Sequence, residues 1–550
     1  MNNFKGNPIY MAEKNKFYVT TSIAYANSVP HIGFAMEALQ ADTLARYHTL
    51  KGDEVFFCSG TDEHGSKIKR TAIEKGLKPQ VFVDGNATRF KELLKILNVS
   101  NDIFIRTTDE KHKAAAQKLW TKLAENKDKK GENDIYEKTY QGNYCVGCEA
   151  FLTEHDLVDG KCPYHQKEPE EVEEKNYFFR ISKYLPEIKR KIESGELEII
   201  PESRKNEILN IIENAEDVSF SRPKSTLDWG VPVPGDDEQT MYVWCDALTN
   251  YISALGYGET ENGENFQKFW IDNRNITHVI GKDILRFHAM VWPAMLLSAG
   301  LPLPKKICVH SFITSGGQKM SKSLGNVIDP FEVIEKYGVD PMRYFLLKEI
   351  PTTEDGDFSY KHFEEVYKSD LQNGLGNLVA RVLAMIEKYF DGKIPEINSE
   401  YEEVTKFKGE DLIEKISTYL DKDYDDFKLD FVLEDINLLT RELDGYIQEQ
   451  EPFKLIKENT EKTASVLYKC AETIRVIAWL IRPFMPETSD RIFEQLFADE
   501  IERENEINYT TKNDADQEFV YLERSICFAN ILKPGTRVQK GESLFPRLEE

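Results

Sequence analysis

Lys16-Phe17-Tyr18-Val19-Thr20-Thr21, a turn-rich stretch over 24–30, and then His31-Ile32-Gly33-Phe34 decide the fold. The first six residues are β-rich, and after the turn Ile32, Met36, Leu39 and Leu44 recur at helical spacing. Strand, turn and helix at this point make the opening unit of a doubly wound parallel sheet. The start of that helix offers unsatisfied N–H groups to an anion. His31 stands there, and an imidazole can donate to a phosphate oxygen, while Gly33 lets a nucleotide approach the backbone. Taken alone, a His after Pro30 is more often a turn residue, so its reading depends on the rest of the chain.

Length and composition bound that reading. A chain of 550 residues holds roughly three or four domains, and 41% apolar content is enough to build their cores. The first sixteen residues lack an apolar core of signal-peptide length, and the longest apolar run, 466–481, is broken by Lys469, Glu472 and Arg475. That run reads as a buried helix, and no stretch reads as a membrane span. Eight scattered cysteines suit a reducing, cytoplasmic setting. A net charge of −25 excludes indiscriminate coating of nucleic acid but leaves room for a local RNA-binding face.

Further stretches carry chemistry. A strand from Glu54 runs into Gly60-Thr61-Asp62-Glu63-His64-Gly65, where Asp62 can pair with a ligand ammonium or cap the following helix. Cys145-x-x-Cys148, thirteen residues, and Cys162-x-x-His165 form two knuckle-like ligand pairs. Three thiolates and an imidazole suit a closed, structural tetrahedral zinc; a redox Cys-x-x-Cys would leave the second pair without a role. Met241-Tyr242-Val243-Trp244-Cys245-Asp246-Ala247-Leu248-Thr249-Asn250-Tyr251 is aromatic-rich, which on periodicity alone reads as core. In 278–293, Gly281 permits a turn, Asp283 can accept from a ribose hydroxyl, and Ile284, His288 and Trp292 lie four apart on one helix face. Gln318-Lys319-Met320-Ser321-Lys322-Ser323 follows Ser315-Gly316-Gly317 and can bring two ammonium groups onto a polyphosphate. From Phe363 to about Leu496 the period is helical, with Leu371, Leu375, Leu378, Val382 and Met385 as one stripe and Val432, Ile436, Leu439 and Leu443 as another.

Lys-Met-Ser-Lys-Ser together with His-Ile-Gly resembles the two signatures of the class I aminoacyl-tRNA synthetases, and from Lys16 to Arg547 the chain resembles the methionyl-tRNA synthetases. The resemblance implies a Rossmann-like α/β catalytic domain in two halves (1–127 and 228–310) around a zinc-knuckle connective insertion (128–227). A stem-contact region (311–365) and an α-helical anticodon-binding bundle with C-terminal extension (366–550) follow. It implies catalytic roles for His31, Lys319 and Lys322, with ATP held by these and by Gly33, Gly281, Asp283, Ser321 and Ser323. Asp62 would hold the amino group of methionine. Ile23, Tyr25, Trp244, Ala247, Leu248 and Tyr251, with Ile284, His288 and Trp292, would wall its side chain. Asn377, Arg381 and Phe453 would read a CAU anticodon, Phe453 by stacking, and Cys145, Cys148, Cys162 and His165 would bind one zinc.

The chain departs from the family pattern at Phe34, where a second polar group is usual, at Leu248 in place of Pro, and at Phe453 in place of Trp. The insertion is too short for the editing domain of the isoleucyl, valyl and leucyl enzymes. The expected activity is ATP- and Mg2+-dependent ligation of methionine to initiator and elongator tRNA(Met) by a monomer, with no membrane partner.

Overall fold

Residues 15–127, 130–145, 150–152, 157–163, 166–259, 263–320, 326–499 and 532–548 are described by a computed structural model. Seven strands make its parallel sheet: β1 (Lys16–Thr21), β2 (Ala24–Tyr25), β3 (Glu54–Asp62), β4 (Ile103–Arg106), β5 (Glu198–Ile200), β6 (Ile276–Gly281) and β7 (Lys306–His310). Their order is β2-β3-β1-β6-β7-β5, with β4 also on β3. Every residue of β6 and β7 is buried, as a sheet covered on both faces requires. Among the polar residues caught inside, Thr21 Oγ1 donates to Ser59 Oγ at 2.9 Å, and Thr20 Oγ1 lies 2.8 Å from His278 Nδ1.

β5 comes from within the 128–227 span, pairing Glu198 with Lys306 and Ile200 with Cys308 in parallel register. Within the same span Ile135–Cys145 pairs antiparallel with Glu170–Phe179. Ile135 and Phe179 join the main core.

The residues divide into two compact units, one of 16–41 with 56–312, the other of 1–15, 42–55 and 313–550. In the second, helices α1 (Asn377–Phe390), α2 (Leu429–Gln450), α3 (Thr460–Ile481) and α4 (Pro486–Leu496) form the bundle. Leu371, Leu375, Leu378 and Val382 are buried as their spacing implies, whereas Met385 is half-buried. A π-helical segment, Tyr367–Gly376, kinks at Gly374 and shifts the register ahead of α1. The charges that interrupt the apolar run in α3 are internal: Arg475 donates to Glu472 Oε1 at 2.7 Å, and both are buried. Arg343, fully buried, binds Asp42 Oδ2 at 2.7 Å and the carbonyl of Phe484 at 2.6 Å.

Candidate active site

In the first unit the strand ends supply the site, as the crevice rule for open α/β sheets requires. β2 and β3 pair so that Tyr25 sits opposite Asp62, which places the half-buried phenol and the buried carboxyl side by side. Beyond β6 the backbone runs through a 3-10 turn (Lys282–Ile284), a π turn (Phe287–Val291) and the helix Trp292–Ala299. Ile284, His288 and Trp292 therefore belong to three kinds of turn rather than one regular helix. His288 and Trp292 still converge on Tyr251, with ring centroids 5.6 and 5.9 Å away, and His288 Nδ1 donates to the Ile284 carbonyl at 3.0 Å.

That bond fixes the tautomer. Nδ1 faces an acceptor, so in the neutral ring Nε2 is the acceptor, and it receives the Tyr251 hydroxyl at 2.6 Å. Burial pushes the imidazole down to about 4 against a pull the other way from the Ile284 carbonyl, and it raises Tyr251 well above the usual phenol range. The pair is neutral at physiological pH. Around it, Trp244 stacks on Phe287 at 3.9 Å and 6°, and the Trp292 ring lies 5.9 Å from Tyr251. Ala247 and Leu248 are buried, while Ile23, Trp244 and Ile284 keep partial exposure against the same core. An uncharged, polarizable recess of this kind suits a thioether.

At the nucleotide end His31 is exposed, and the Gly33 amide donates to its Nδ1 at 3.1 Å, leaving the proton of the neutral ring on Nε2. A Cβ on Gly33 would stand 3.0 Å from two atoms of that ring, so glycine here makes room for the histidine. Gly281 has φ −72°, which any residue adopts. Its lack of a side chain matters instead because a Cβ would meet Asp283 Oδ1 at 3.0 Å. Asp283 itself is exposed, as a ribose ligand must be. Phe34 is buried, edge-on to Phe90 with centroids 4.8 Å apart. The residue that replaces the family's second polar group has become part of the core.

Nearby, His310 Nε2 donates to Glu37 Oε2 at 2.9 Å and Nδ1 to the Ser311 carbonyl at 2.8 Å. Burial would lower the His310 pKa, but the Glu37 carboxylate outweighs it and raises it. Glu37 Oε1 also accepts from the Ser22 amide at 2.8 Å and hydroxyl at 2.6 Å, which holds the turn beside Ile23. This pair had no sequence signal beyond two isolated residues far apart in the chain.

In the second unit Gly316 and Gly317, at φ 63° and 72°, make the tight turn between Ile313–Ser315 and Gln318–Lys319. Asp357 fastens it, accepting from the Gly317 amide at 2.8 Å and the Thr314 hydroxyl at 2.7 Å. Ser321, Lys322 and Ser323, like the Lys319 side chain, lie outside the described residues. On the bundle, Asn377 and Phe453 are exposed, Phe453 at 44%. Arg381 is half-buried and forms a 2.5 Å ion pair with Asp444, whose other oxygen accepts from Gln448 at 2.6 Å. Back in the insertion, Cys145 and Cys162 are both buried in one small cluster with Leu152 and Leu157. Cys148 and His165 lie outside the described residues, and among those described no group of three metal-ligating side chains is assembled.

A doubly wound sheet whose first helix opens on His-Ile-Gly, with an aromatic recess at the strand ends, is the framework of a class I aminoacyl-tRNA synthetase. Residues 17–173 and 165–383 match the family model for tRNA synthetases class I (M). Residues 398–547 match the anticodon binding domain of methionyl tRNA ligase. A methionine–tRNA ligase of Caldanaerobacter subterraneus subsp. tengcongensis is 44% identical over 541 residues, covering 98% of this chain and 79% of that protein. One from Brucella melitensis is 41% identical, covering 88% and 92%. The structure of Mycobacterium tuberculosis methionyl-tRNA synthetase in complex with methionyl-adenylate aligns with a TM-score of 0.85 at 35% identity, covering 97% of this chain and all of that one. The chain belongs to the methionyl-tRNA synthetase family.

Proposed function

We propose that the protein activates methionine with ATP and transfers it to tRNA(Met), using the residues gathered at the strand ends. The methionine carboxylate attacks the α-phosphorus; the new P–O bond forms as the bond to the bridging oxygen breaks, and pyrophosphate leaves with the electron pair. A hydroxyl of the terminal adenosine of the tRNA then attacks the adenylate carbonyl; the ester C–O bond forms as the acyl–phosphate C–O bond breaks, AMP departs with the electron pair, and the hydroxyl proton passes to solvent. Positioning and charge stabilisation carry these steps, and no protein nucleophile is needed. Asp62 takes the ammonium, and the neutral Tyr251–His288 pair with its aromatic walls takes the thioether. Asp283 takes the ribose, and the Nε2–H of His31 takes the phosphates. ATP enters as its magnesium complex, which shields the phosphate charge.

The observation that carries this reading is the Tyr251–His288 hydrogen bond of 2.6 Å inside an aromatic recess, next to the strand that ends in Asp62. It sets a neutral, aromatic side-chain site near a buried carboxylate at the end of β3, the complement of methionine. A structural zinc would be held by Cys145, Cys148, Cys162 and His165, and the burial of Cys145 and Cys162 in one cluster suits closed tetrahedral ligation. Asn377, Arg381 and the exposed ring of Phe453 form the anticodon-reading surface of the bundle. The buried Cys58, Cys245, Cys308 and Cys470 thiols fit residence in the cytosol. The test is charging of tRNA transcripts: methionine should be esterified to a tRNA with a CAU anticodon and far more slowly when those bases are changed. Equal charging of both would refute the anticodon assignment, and no charging of either would refute the activity.

A further inference from the structure

Four buried polar side chains with no place in the catalytic steps are hydrogen-bonded in series. His64 Nδ1 lies 2.6 Å from Asp246 Oδ2, His112 Nε2 lies 2.8 Å from Asp246 Oδ1, and His112 Nδ1 lies 2.8 Å from Ser253 Oγ. None is more than 8% exposed. A carboxylate can only accept, so the two ring nitrogens that face it carry hydrogens, while the Ser253 hydroxyl also donates to the Asn250 carbonyl at 3.3 Å. Burial would raise the Asp246 pKa, but the two imidazoles outweigh it and hold the carboxyl at about 2. It is a buried anion whose compensation comes from these partners.

The positions of the links matter more than their number. His64 stands two residues after Asp62, Asp246 lies between Trp244 and Ala247, and Ser253 stands two residues after Tyr251. Two of the segments that hold the methionine site, the end of β3 at Asp62 and the stretch from Trp244 to Tyr251, are thus tied to each other within two residues of their contacts. The His64 side is fixed a second time. Glu63 accepts from Arg106 Nε at 2.7 Å and from the Thr61 hydroxyl at 2.8 Å, and its backbone carbonyl accepts from Trp229 Nε1 at 2.7 Å.

We propose that the His64–Asp246–His112–Ser253 series is a positioning clamp that sets the spacing between the ammonium site and the side-chain wall, and with it the length of amino acid accepted. This rests on the assignment of Asp62 and the 244–251 segment to methionine. None of the four touches substrate; they act through Asp62, Trp244 and Tyr251. Loosening one end lets the strand end and the wall drift apart, and a misplacement of the order of 1 Å can cost up to about 100-fold in rate.

The experiment uses the full chain, with ATP–pyrophosphate exchange measured for methionine, homocysteine (shorter) and ethionine (longer). His64→Leu removes the donor to Asp246; His64→Asn returns an N–H near the place of Nδ1. The Leu variant should raise the methionine KM roughly 10-fold while the ATP KM stays within about twofold, and should raise ethionine relative to methionine by about 5-fold in kcat/KM. The Asn variant should recover most of both effects. Ratios between amino acids do not depend on the folded fraction, so a poorly folding preparation still reports, and His112→Asn gives a second reading from the far end. A lower melting temperature with unchanged KM and unchanged ratios would overturn the clamp, as would equal rises in the methionine and ATP KM. Asp62→Asn separates the two levels: if it leaves the methionine KM unchanged, the pocket assignment has failed, and if it raises it while His64→Leu is silent, the clamp alone has failed.

Discussion

Tyr251→Phe removes one oxygen from the recess and leaves the ring in place. That oxygen donates to His288 Nε2 at 2.6 Å, and His288 is held by its other nitrogen to the Ile284 carbonyl, so it cannot turn to find another donor. A buried acceptor left without its partner costs about 1–3 kcal/mol, or roughly 5- to 150-fold in an equilibrium constant. The cost falls on methionine. In the empty recess, water entering past the half-exposed Ile23, Trp244 and Ile284 can serve Nε2, and a bound thioether displaces that water without replacing its hydrogen bond. Exchange kinetics at saturating ATP should show the methionine KM raised within that range, with the ATP KM unchanged. The Tyr18 hydroxyl, which donates to the Tyr251 carbonyl at 2.8 Å, keeps the backbone where it is. An unchanged methionine KM, or an equal rise in the ATP KM, would refute the assignment of Tyr251 and His288 to the amino-acid site.

Phe34→His should not repair the signature. The new ring would lose the edge-to-face contact with Phe90, about 0.5–1.5 kcal/mol of stability, and the exchange rate should rise by no more than about twofold; a tenfold rise would show that position 34 reaches the phosphates. Arg381→Ala should raise the KM for tRNA(Met) about 10-fold in charging and leave methionine activation unchanged, because its partner is Asp444 within the bundle. Loss of both activities together would contradict this. Because burial holds the folded His288 near 4, below its ordinary 6.5, the unfolded chain binds the extra proton between those values. Stability is therefore full above about pH 6.5 and falls as pH drops towards 4, by on the order of 2 kcal/mol at pH 5. Denaturation of wild type and His288→Gln across that range should show the wild type as the more acid-sensitive, and parallel curves would contradict the reading. Cys145→Ser should lower both the zinc content by metal analysis and the melting temperature, and full zinc in the variant would remove Cys145 from the ligand set.

Much of this was legible in the sequence because local period and local chemistry coincide there. The strand Lys16–Thr21 and the helix start after His31 follow from a six-residue β-rich run, a turn and helical spacing. The buried helix over 466–481 follows from an apolar run too charged for a membrane, and its Glu472 and Arg475 indeed pair inside the protein. Illegible features depend on partners distant in sequence. Asp246 lies in the aromatic-rich 241–251 stretch and His64 in the glycine-flanked 60–65 stretch, but no spacing rule joins residues 182 apart. Glu37 and His310, 273 apart, are the same case. The π turns at Phe287–Val291 and Tyr367–Gly376 insert an extra residue into a helical period and have no compositional mark. Phe34 could be seen to lack a polar group, while its destination against Phe90 could not.

On the proposed function, this pocket selects methionine for adenylation. ATP–pyrophosphate exchange on the purified protein, with methionine and separately with leucine, isoleucine, cysteine and homocysteine, tests it most directly. Methionine should support strong exchange, homocysteine weak exchange, and the rest none above background. Exchange supported equally well by leucine or isoleucine, or by none of the five, would contradict it.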